Sequence, residues 1–169
     1  QNGPILDYCA GGGGKALALS AYLNKPIFAH DSNLLRMKDL PKRASRSGAD
    51  IRIIKSNNLR KSYFGLVFCD APCSGSGTWR RDPEGKWSIT LRDYQKLLSL
   101  QENILRTAAQ LVQAGGRLVY ATCSVLKDEN KTQIQKFLAN SNEWVLEKEK
   151  LFMPNELGDG FYFATLKKK

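Results

Sequence analysis

The stretch "PILDYCAGGGGKALALSAYL" (4–23) joins a predicted strand to a predicted helix through four consecutive glycines. The apolar run over 4–10 predicts a buried strand, and the helical spacing over 15–23 predicts a helix. A strand, a glycine turn and a helix in this order form the first unit of a doubly wound α/β sheet. Glycines in such a turn let a ligand approach the backbone closely, because they have no Cβ atom.

The same alternation of strands and helices continues along the chain. Further strands are predicted over 26–31, 50–55, 64–70, 117–123, 144–149 and 160–166. Further helices are predicted over 32–47, over 128–138, and from a Thr90–Asp93 cap to the pair Gly115–Gly116. Strands that alternate with helices pair in parallel through right-handed crossovers. We therefore expect an α/β fold with a mostly parallel, doubly wound sheet, in a single domain over residues 1–169.

The composition favours a polyanionic partner. Lys and Arg number 26 against 16 Asp and Glu, which gives a net charge of +10 at pH 7. Basic surfaces gain free energy on phosphate backbones by releasing condensed counterions. On charge alone, a generally basic surface without a specific partner stays open as the alternative. No run approaches the roughly 18 apolar residues that span a membrane, so we expect no membrane association.

The four cysteines occur in two kinds of setting. Cys9 and Cys69 lie beside or within apolar runs and are interpreted as small buried residues. Cys73 and Cys123 each follow a predicted strand, where side chains leave the core. The chain has no C-x-x-C motif and only one histidine, which argues against a four-ligand zinc site. We therefore expect no metal.

A carboxylate at the end of the second predicted strand supports an adenosine-containing cofactor. Gly11, Gly13 and Ala16 match the spacing G-x-G-x-x-A, and Asp31 follows Gly11 by twenty residues. A carboxylate at that position can accept both hydroxyl groups of a ribose. The pattern alone does not distinguish a dinucleotide from S-adenosylmethionine.

Three further motifs carry a family resemblance. The segments "DYCAGGGGK" (7–15), "DAPCSGSGTWRRDP" (70–83) and "YATCSVLKDEN" (120–130) resemble the RNA 5-methylcytosine methyltransferases of the Sun and nucleolar-protein family, which include the ribosomal small-subunit methyltransferase B group. The similarity extends to "DGFYFATL" (159–166). It implies a Rossmann-like fold and methyl transfer from S-adenosylmethionine to carbon 5 of a cytosine in RNA. Ribosomal RNA is the implied substrate, with transfer RNA as the alternative.

The resemblance also implies roles for two cysteines and one aspartate. In the family, the T-C-S cysteine attacks carbon 6 of cytosine and the P-C-S cysteine assists release, so Cys123 is the implied nucleophile and Cys73 the release residue. Asp70 is implied to hydrogen-bond the cytosine ring. Attack at carbon 6 makes carbon 5 nucleophilic, and covalent catalysis thus divides one difficult step into two. DNA cytosine methyltransferases attack with the cysteine of a Pro-Cys motif, which would nominate Cys73, but they lack the T-C-S cysteine.

The resemblance places the cofactor on the glycine loop and the strand ends. The implied contacts are Cys9, Ala10, Gly11, Gly12, Gly13, Gly14, Lys15, Asp31, Asn57 and Asp70. Gly11 and Gly12 replace the family's usual Ala-Pro, which predicts a more flexible loop and weaker cofactor binding. Asn57 or Asn58 stands where the family has an aspartate that contacts the adenine.

The segment "GTWRRDPEGKW" (77–87) is predicted to contact RNA through Trp79, Arg80 and Arg81. Aromatic rings and guanidinium groups stack on splayed-out bases. The alternative is a structural loop whose tryptophans pack against the domain.

Two other functions stay open from the sequence. A basic RNA-binding module that has kept the fold but lost turnover would explain the altered glycine loop. A dinucleotide-dependent oxidoreductase would explain the glycine spacing with Asp31, but it leaves Cys73 and Cys123 unexplained. We expect a monomeric, cytoplasmic protein, and we expect the family's N-terminal RNA-binding region to be absent from these residues.

Overall fold

The computed structural model describes residues 2–169. Its strands are β1 (Ile5–Asp7), β2 (Ile27–Ala29), β3 (Ile51–Ile53), β4 (Phe64–Asp70), β5 (Val112–Thr122), β6 (Trp144–Phe152) and β7 (Phe161–Lys168). Its helices are α1 (Gly14–Leu23), α2 (Leu40–Ser47), α3 (Pro83–Ser88), α4 (Leu91–Leu111) and α5 (Lys131–Ala139). The strands form one seven-stranded sheet in the order β3-β2-β1-β4-β5-β7-β6. The strands from β1 to β5 pair in parallel and β7 is antiparallel to both neighbours, which confirms the predicted α/β fold.

The order of the strands reverses between β1 and β4. The chain builds outward from β1 to β3 and then returns to place β4 on the other side of β1. Ligands of such sheets bind at this reversal, beyond the carboxyl ends of the strands. The glycine loop after β1 and the segments after β4 and β5 all leave the sheet at that edge.

Helices cover both faces of the sheet. Successive residues of β1 point to opposite faces, as strand geometry requires. Ile5 belongs to a buried cluster with Leu40 of α2, whereas Leu6 belongs to a buried cluster with Leu105 of α4. The two clusters hold α1 and α2 on one face and α4 and α5 on the other.

Two helix starts show how local signals and chain geometry combine. The predicted cap of α4 is confirmed, because Thr90 Oγ1 accepts a hydrogen bond from Asp93 N at 3.1 Å. The single helix predicted over 32–47 is instead a short 3-10 turn, Leu34–Met37, followed by α2. Pro41 lies in the first turn of α2, where its missing N–H costs nothing.

The end of α4 was predicted wrongly. The helix ends at Leu111 rather than at Gly115–Gly116. Val112 already pairs with Phe64 of β4, and the register shifts before the next pair. Pairing with β4 therefore overrides the local helical pattern. None of the helices within residues 2–169 is both long and apolar enough to cross a bilayer.

We expect Leu118→Ala to lower the free energy of unfolding by about 2–5 kcal/mol, because it opens a cavity in the core. Leu118 lies in β5 and has no exposed surface, whereas Leu157 is 97% exposed. Leu157→Ala is the matched control and should change stability by less than about 0.5 kcal/mol. Urea denaturation followed by circular dichroism measures both, and equal losses would contradict this description of the core.

Candidate active site

A cavity of about 740 Å³ opens at the carboxyl edge of the sheet. The glycine loop, the ends of β1, β2 and β4, and residues of α4 line it. Asp70, Cys73 and Cys123 of the predicted catalytic set lie there with Lys15 and Asp31 of the predicted cofactor set. One cavity therefore brings together two groups of residues that the sequence placed in separate motifs.

The two candidate catalytic sulfur atoms lie against each other. Cys73 Sγ and Cys123 Sγ are 3.4 Å apart and share a hydrogen bond. The register of β4 and β5 brings them together. Asp70 stands opposite Ala121, and the segments that follow the two strands leave the sheet side by side just beyond this pair. Both cysteines are half-buried and neither forms a disulfide. They are therefore close enough for one proton to be held between them.

The shared hydrogen bond makes the two thiols chemically unlike. The pKa of Cys123 falls from 9.0 to about 7, chiefly because Cys73 donates a hydrogen bond to its sulfur and also because the positive charge of Lys15 is near. The pKa of Cys73 is raised far above its ordinary value, first by that hydrogen bond and then by burial. When one of the two thiols ionises, the proton therefore stays on Cys73. Cys123 then becomes the thiolate, which is the nucleophilic form.

Lys15 links the cofactor loop to the predicted catalytic carboxylate. Its ammonium group lies 2.5 Å from Asp70 Oδ2. Lys15 stands in the first turn of α1, and Asp70 is the last residue of β4. The ion pair thus joins the two motifs within the cavity, and both of its charges act on the Cys123 thiol.

Asp31 is buried and is oriented by backbone N–H groups. Its Oδ2 accepts a hydrogen bond from Gly11 N at 2.8 Å, and its Oδ1 accepts one from Asn33 N at 2.9 Å. Arg36 lies 3.5 Å from Oδ2. A carboxylate oxygen has more than one lone pair, so Asp31 can still accept ribose hydroxyl groups.

Asp7 is a candidate site residue that the sequence reasoning missed. It is the last residue of β1, and both carboxylate oxygens are buried without a well-formed hydrogen bond to any of residues 2–169, although the backbone N–H of Ala16 favours the charged form. Burial, followed by the negative charge of Asp70, raises the pKa of Asp7 from 3.8 to about 7. Its signal in the sequence is the one that Asp31 and Asp70 give, a carboxylate at the end of a strand.

These residues fit S-adenosylmethionine, the cofactor that the resemblance implies. The unpartnered Asp7 carboxylate lines the cavity, where it suits a ligand with a positively charged group. Asp31 suits the ribose, and the glycine loop leaves its backbone open to a ligand. No cluster of three or more His, Cys, Asp or Glu side chains that could hold a metal ion occurs within residues 2–169.

Most of the predicted cofactor contacts line the cavity. These are Cys9, Ala10, Gly11, Gly12, Gly14, Lys15, Asp31 and Asp70. Gly13, the loop residue that caps α1, does not line the cavity and instead faces α2, because a Cβ atom on it would be 2.1 Å from Leu40 Cδ1. Asn57 is exposed in a 3-10 turn after β3 and is not among the lining residues. Its predicted contact with the adenine therefore has no support from the cavity.

The two cysteines that the sequence assigned to the core differ from each other. Cys69 is fully buried, as predicted. Cys9 is only half-buried: it packs against the core cluster and also lines the cavity, where the resemblance implies a cofactor contact. Burial raises the pKa of Cys9 from 9.0 to about 12, and nearby carboxylates add to this shift. Cys9 therefore stays a neutral thiol beside the cofactor loop.

The predicted RNA-contacting segment is tied to the connection between β6 and β7. Arg80 Nε donates to Asp159 Oδ1 at 2.7 Å, and Arg81 pairs with the other oxygen of the same carboxylate. Both arginine side chains stay largely exposed. Trp79 Nε1 is buried and has no hydrogen-bond partner in the part of the chain that the structure describes, whereas Trp87 is exposed. The segment has an anchored part and an accessible part, and its contact with RNA stays a prediction.

Comparisons with known proteins show which family the chain resembles. The family model described as 16S rRNA methyltransferase RsmB/F matches residues 1–167. Ribosomal RNA small subunit methyltransferase B of Salmonella arizonae is 35% identical over 185 residues, which cover 100% of this chain and 43% of that protein. The solved structure of PH0851 is 30% identical with a TM-score of 0.90, and the match covers 98% of this chain and 43% of PH0851.

A more distant structure shows the same fold. NSun6 from Pyrococcus horikoshii, solved with SFG, has a TM-score of 0.83 at 22% identity, over 99% of this chain and 48% of its own. The chain spans less than half the length of these relatives. The family match nonetheless covers nearly all of its residues, including the glycine loop and both cysteine motifs. The chain therefore belongs to the 16S rRNA methyltransferase RsmB/F family.

Proposed function

We propose that this domain transfers a methyl group from S-adenosylmethionine to carbon 5 of a cytosine in RNA, through a covalent adduct on Cys123. The observation that carries the proposal is the 3.4 Å contact between Cys73 and Cys123, in the cavity that also contains the glycine loop and Asp31. The pKa values of the two thiols shift in opposite directions, chiefly through the hydrogen bond that joins them. That difference supports separate roles in attack and release.

The attacking group is the Cys123 thiolate, which adds to carbon 6 of the cytosine ring. The new sulfur–carbon bond makes carbon 5 nucleophilic. Asp70 accepts a hydrogen bond from the ring and stabilises its protonated form as the sulfur adds. When bound, S-adenosylmethionine supplies an activated methyl group.

Release reverses the first step. Solvent water in the open cavity takes the proton from carbon 5, and the electron pair of that C–H bond restores the ring double bond as the Cys123 sulfur leaves as a thiolate. Cys73 lies within hydrogen-bonding distance of that sulfur and keeps its own proton, so it stabilises the departing thiolate. The two cysteines therefore act in sequence on one bond.

The substrate of the whole protein is ribosomal RNA. Support comes from the net charge of +10 and from the relatives, which are named as methyltransferases of small-subunit ribosomal RNA. Trp79, Arg80 and Arg81 contact the RNA. Because both arginines pair with Asp159, RNA phosphates have to compete with that carboxylate.

Cys123→Ala should abolish the covalent adduct with RNA that carries 5-fluorocytosine, because no sulfur remains to attack carbon 6. Cys73→Ala should keep that adduct and should also accumulate an adduct on unmodified RNA, because release is slowed. Denaturing gel electrophoresis of the full-length protein with labelled RNA measures both. An adduct that survives Cys123→Ala and disappears with Cys73→Ala would reverse the two roles.

The alkylation rate of Cys123 by iodoacetamide should rise with pH around a midpoint near 7, because its pKa is lowered from 9.0 to about 7 and the thiolate is the reactive form. Cys73→Ala removes the hydrogen-bond donor and should move the midpoint up toward 9.0. The control, Cys69→Ala, removes a buried thiol of β4 and leaves the Cys73–Cys123 contact intact. Mass spectrometry of quenched samples resolves each cysteine, and an unshifted midpoint in Cys73→Ala would contradict the assignment.

Asp31→Ala should weaken the binding of S-adenosylmethionine by about ten- to a hundredfold, because hydrogen bonds to a charged group contribute about 1.5–3 kcal/mol. Asp50→Ala is the matched control, since Asp50 is an exposed carboxylate paired with Arg52. Isothermal titration calorimetry of the full-length protein measures both. Equal affinities in the two variants would remove Asp31 from the site, and a wild-type protein that binds no cofactor would favour the RNA-binding module.

A further inference from the structure

Glu129 is a buried acid outside the cavity. It lies at the end of a 3-10 turn between β5 and α5 and has no exposed surface. No Lys, Arg or His within residues 2–169 forms an ion pair with it. A buried carboxylate without a cation is costly unless hydrogen bonds satisfy it. The contacts that satisfy this one indicate what it does.

Both oxygens of Glu129 accept hydrogen bonds from the segments that carry the catalytic cysteines. Oε1 accepts from Ser74 N at 2.8 Å, and Oε2 accepts from Ser74 Oγ at 2.5 Å and from Ser124 Oγ. Ser74 follows Cys73 directly, and Ser124 follows Cys123 directly. One carboxylate therefore bridges the residues next to both sulfur atoms.

The bridge is fixed to the body of the domain through two other elements. The backbone carbonyl of Glu129 accepts a hydrogen bond from Tyr120 Oη of β5 at 2.7 Å. Gln101 of α4 donates its Nε2 to Glu129 Oε1 at 2.9 Å and to the carbonyl of Pro72 at 3.0 Å. Contacts with β5 and α4 thus fix the carboxylate in place, and the carboxylate in turn fixes both cysteine segments.

We propose that Glu129 is a positioning residue, which holds the Cys73 and Cys123 segments together so that their sulfur atoms stay in contact. It does not line the cavity, so it acts through the cysteines and touches neither substrate nor cofactor. The consequence for catalysis rests on the proposed function, whereas the geometry does not.

The charge of Glu129 supports the same arrangement. The pKa of Cys73 is raised first by its hydrogen bond with Cys123 and by burial, and the negative charge of Glu129 adds to the effect. Lys15 and Asp70 are the charged groups beside Cys123. The negative charge of Glu129 acts on Cys73 and therefore favours the protonated form of that thiol.

The test measures how readily the two sulfur atoms form a bond. Diamide, an azo oxidant, accepts two electrons and two protons from a pair of thiols, and it is reduced to a hydrazine as the disulfide forms. The sulfurs must close from 3.4 Å to about 2.05 Å, so the rate reports their contact. Neither RNA nor cofactor is needed. Mass spectrometry of the full-length protein identifies the Cys73–Cys123 disulfide.

Glu129→Gln should lower the rate of disulfide formation by at least about tenfold. The amide nitrogen of the glutamine would face hydrogen-bond donors, whereas the carboxylate oxygen in its place accepts hydrogen bonds from them. The control, Glu149→Gln, changes a half-buried glutamate that accepts a hydrogen bond from Tyr162 Oη and should leave the rate unchanged. Alkylation of the fully buried Cys69 monitors unfolding. If Glu129→Gln exposes Cys69, Ser74→Ala takes its place, since it removes the Ser74 Oγ donor and should also slow the disulfide.

Methylation kinetics separate the two proposals. In a folded Glu129→Gln protein, kcat should fall by at least about tenfold while the Kd for S-adenosylmethionine is unchanged. An unchanged disulfide rate in that variant overturns the positioning role, whatever its activity. A slowed disulfide in a protein whose wild type forms no adduct with RNA keeps the positioning role and overturns the proposed function.

Discussion

The pairing of β4 with β5 is the constraint on which the site depends. Asp70 and Ala121 stand opposite each other at the carboxyl end of this parallel pair, so the segments that follow β4 and β5 leave the sheet at the same edge. Cys73 and Cys123 are fifty residues apart in sequence and meet only because of this register. Gly77 then brings the two segments together, since a Cβ atom there would lie 2.4 Å from the carbonyl oxygen of Gly160 and 2.8 Å from that of Cys123. A shift of one residue in the pairing would turn each side chain to the opposite face.

Two thiols in contact would have equal pKa values if their surroundings were the same. The surroundings of Cys73 and Cys123 differ, and so do their pKa values. Two thiolates in contact repel each other, so only one of the two thiols ionises easily. Cys73 is the more deeply buried and keeps the proton, and the hydrogen bond that it donates is the chief cause of the lowered pKa of Cys123. The positive charge of Lys15 acts in the same direction on Cys123, against burial and the negative charge of Asp70. Lys15 also pairs with Asp70, so the carboxylate holds the cation in place while offsetting part of its charge. The difference between the two cysteines therefore comes from position and not from their own chemistry.

The sequence predicted those features that depend on short motifs and missed those that depend on distant contacts. The alternation of strands and helices, the cap at Thr90 and the position of each cysteine motif just after a strand all followed from local pattern. Glu129 was quoted within a motif, but its role was missed, because its link to the Cys73 segment and to α4 comes through Ser74 and Gln101, 55 and 28 residues away in the chain. The end of α4 at Leu111 was missed for the same reason, since it depends on a strand pair. Asp7 was quoted within a motif, but only its burial without a partner distinguishes it.

The glycine loop shows how a departure in sequence can be offset by contacts that the sequence does not reveal. Gly11 and Gly12 replace Ala-Pro, and more backbone freedom raises the entropy lost on ordering the loop. In the structure the N–H group of Gly11 is held by Asp31, and the carbonyl of Gly12 accepts a hydrogen bond from Arg43 of α2. The bond to the buried Asp31 carboxylate contributes about 1.5–3 kcal/mol, because its acceptor is charged, and this exceeds the roughly 0.4–1 kcal/mol that one glycine costs. The loop is therefore restrained from α2 and from the end of β2 instead of by its own residues, and the cofactor site depends on how those elements pack.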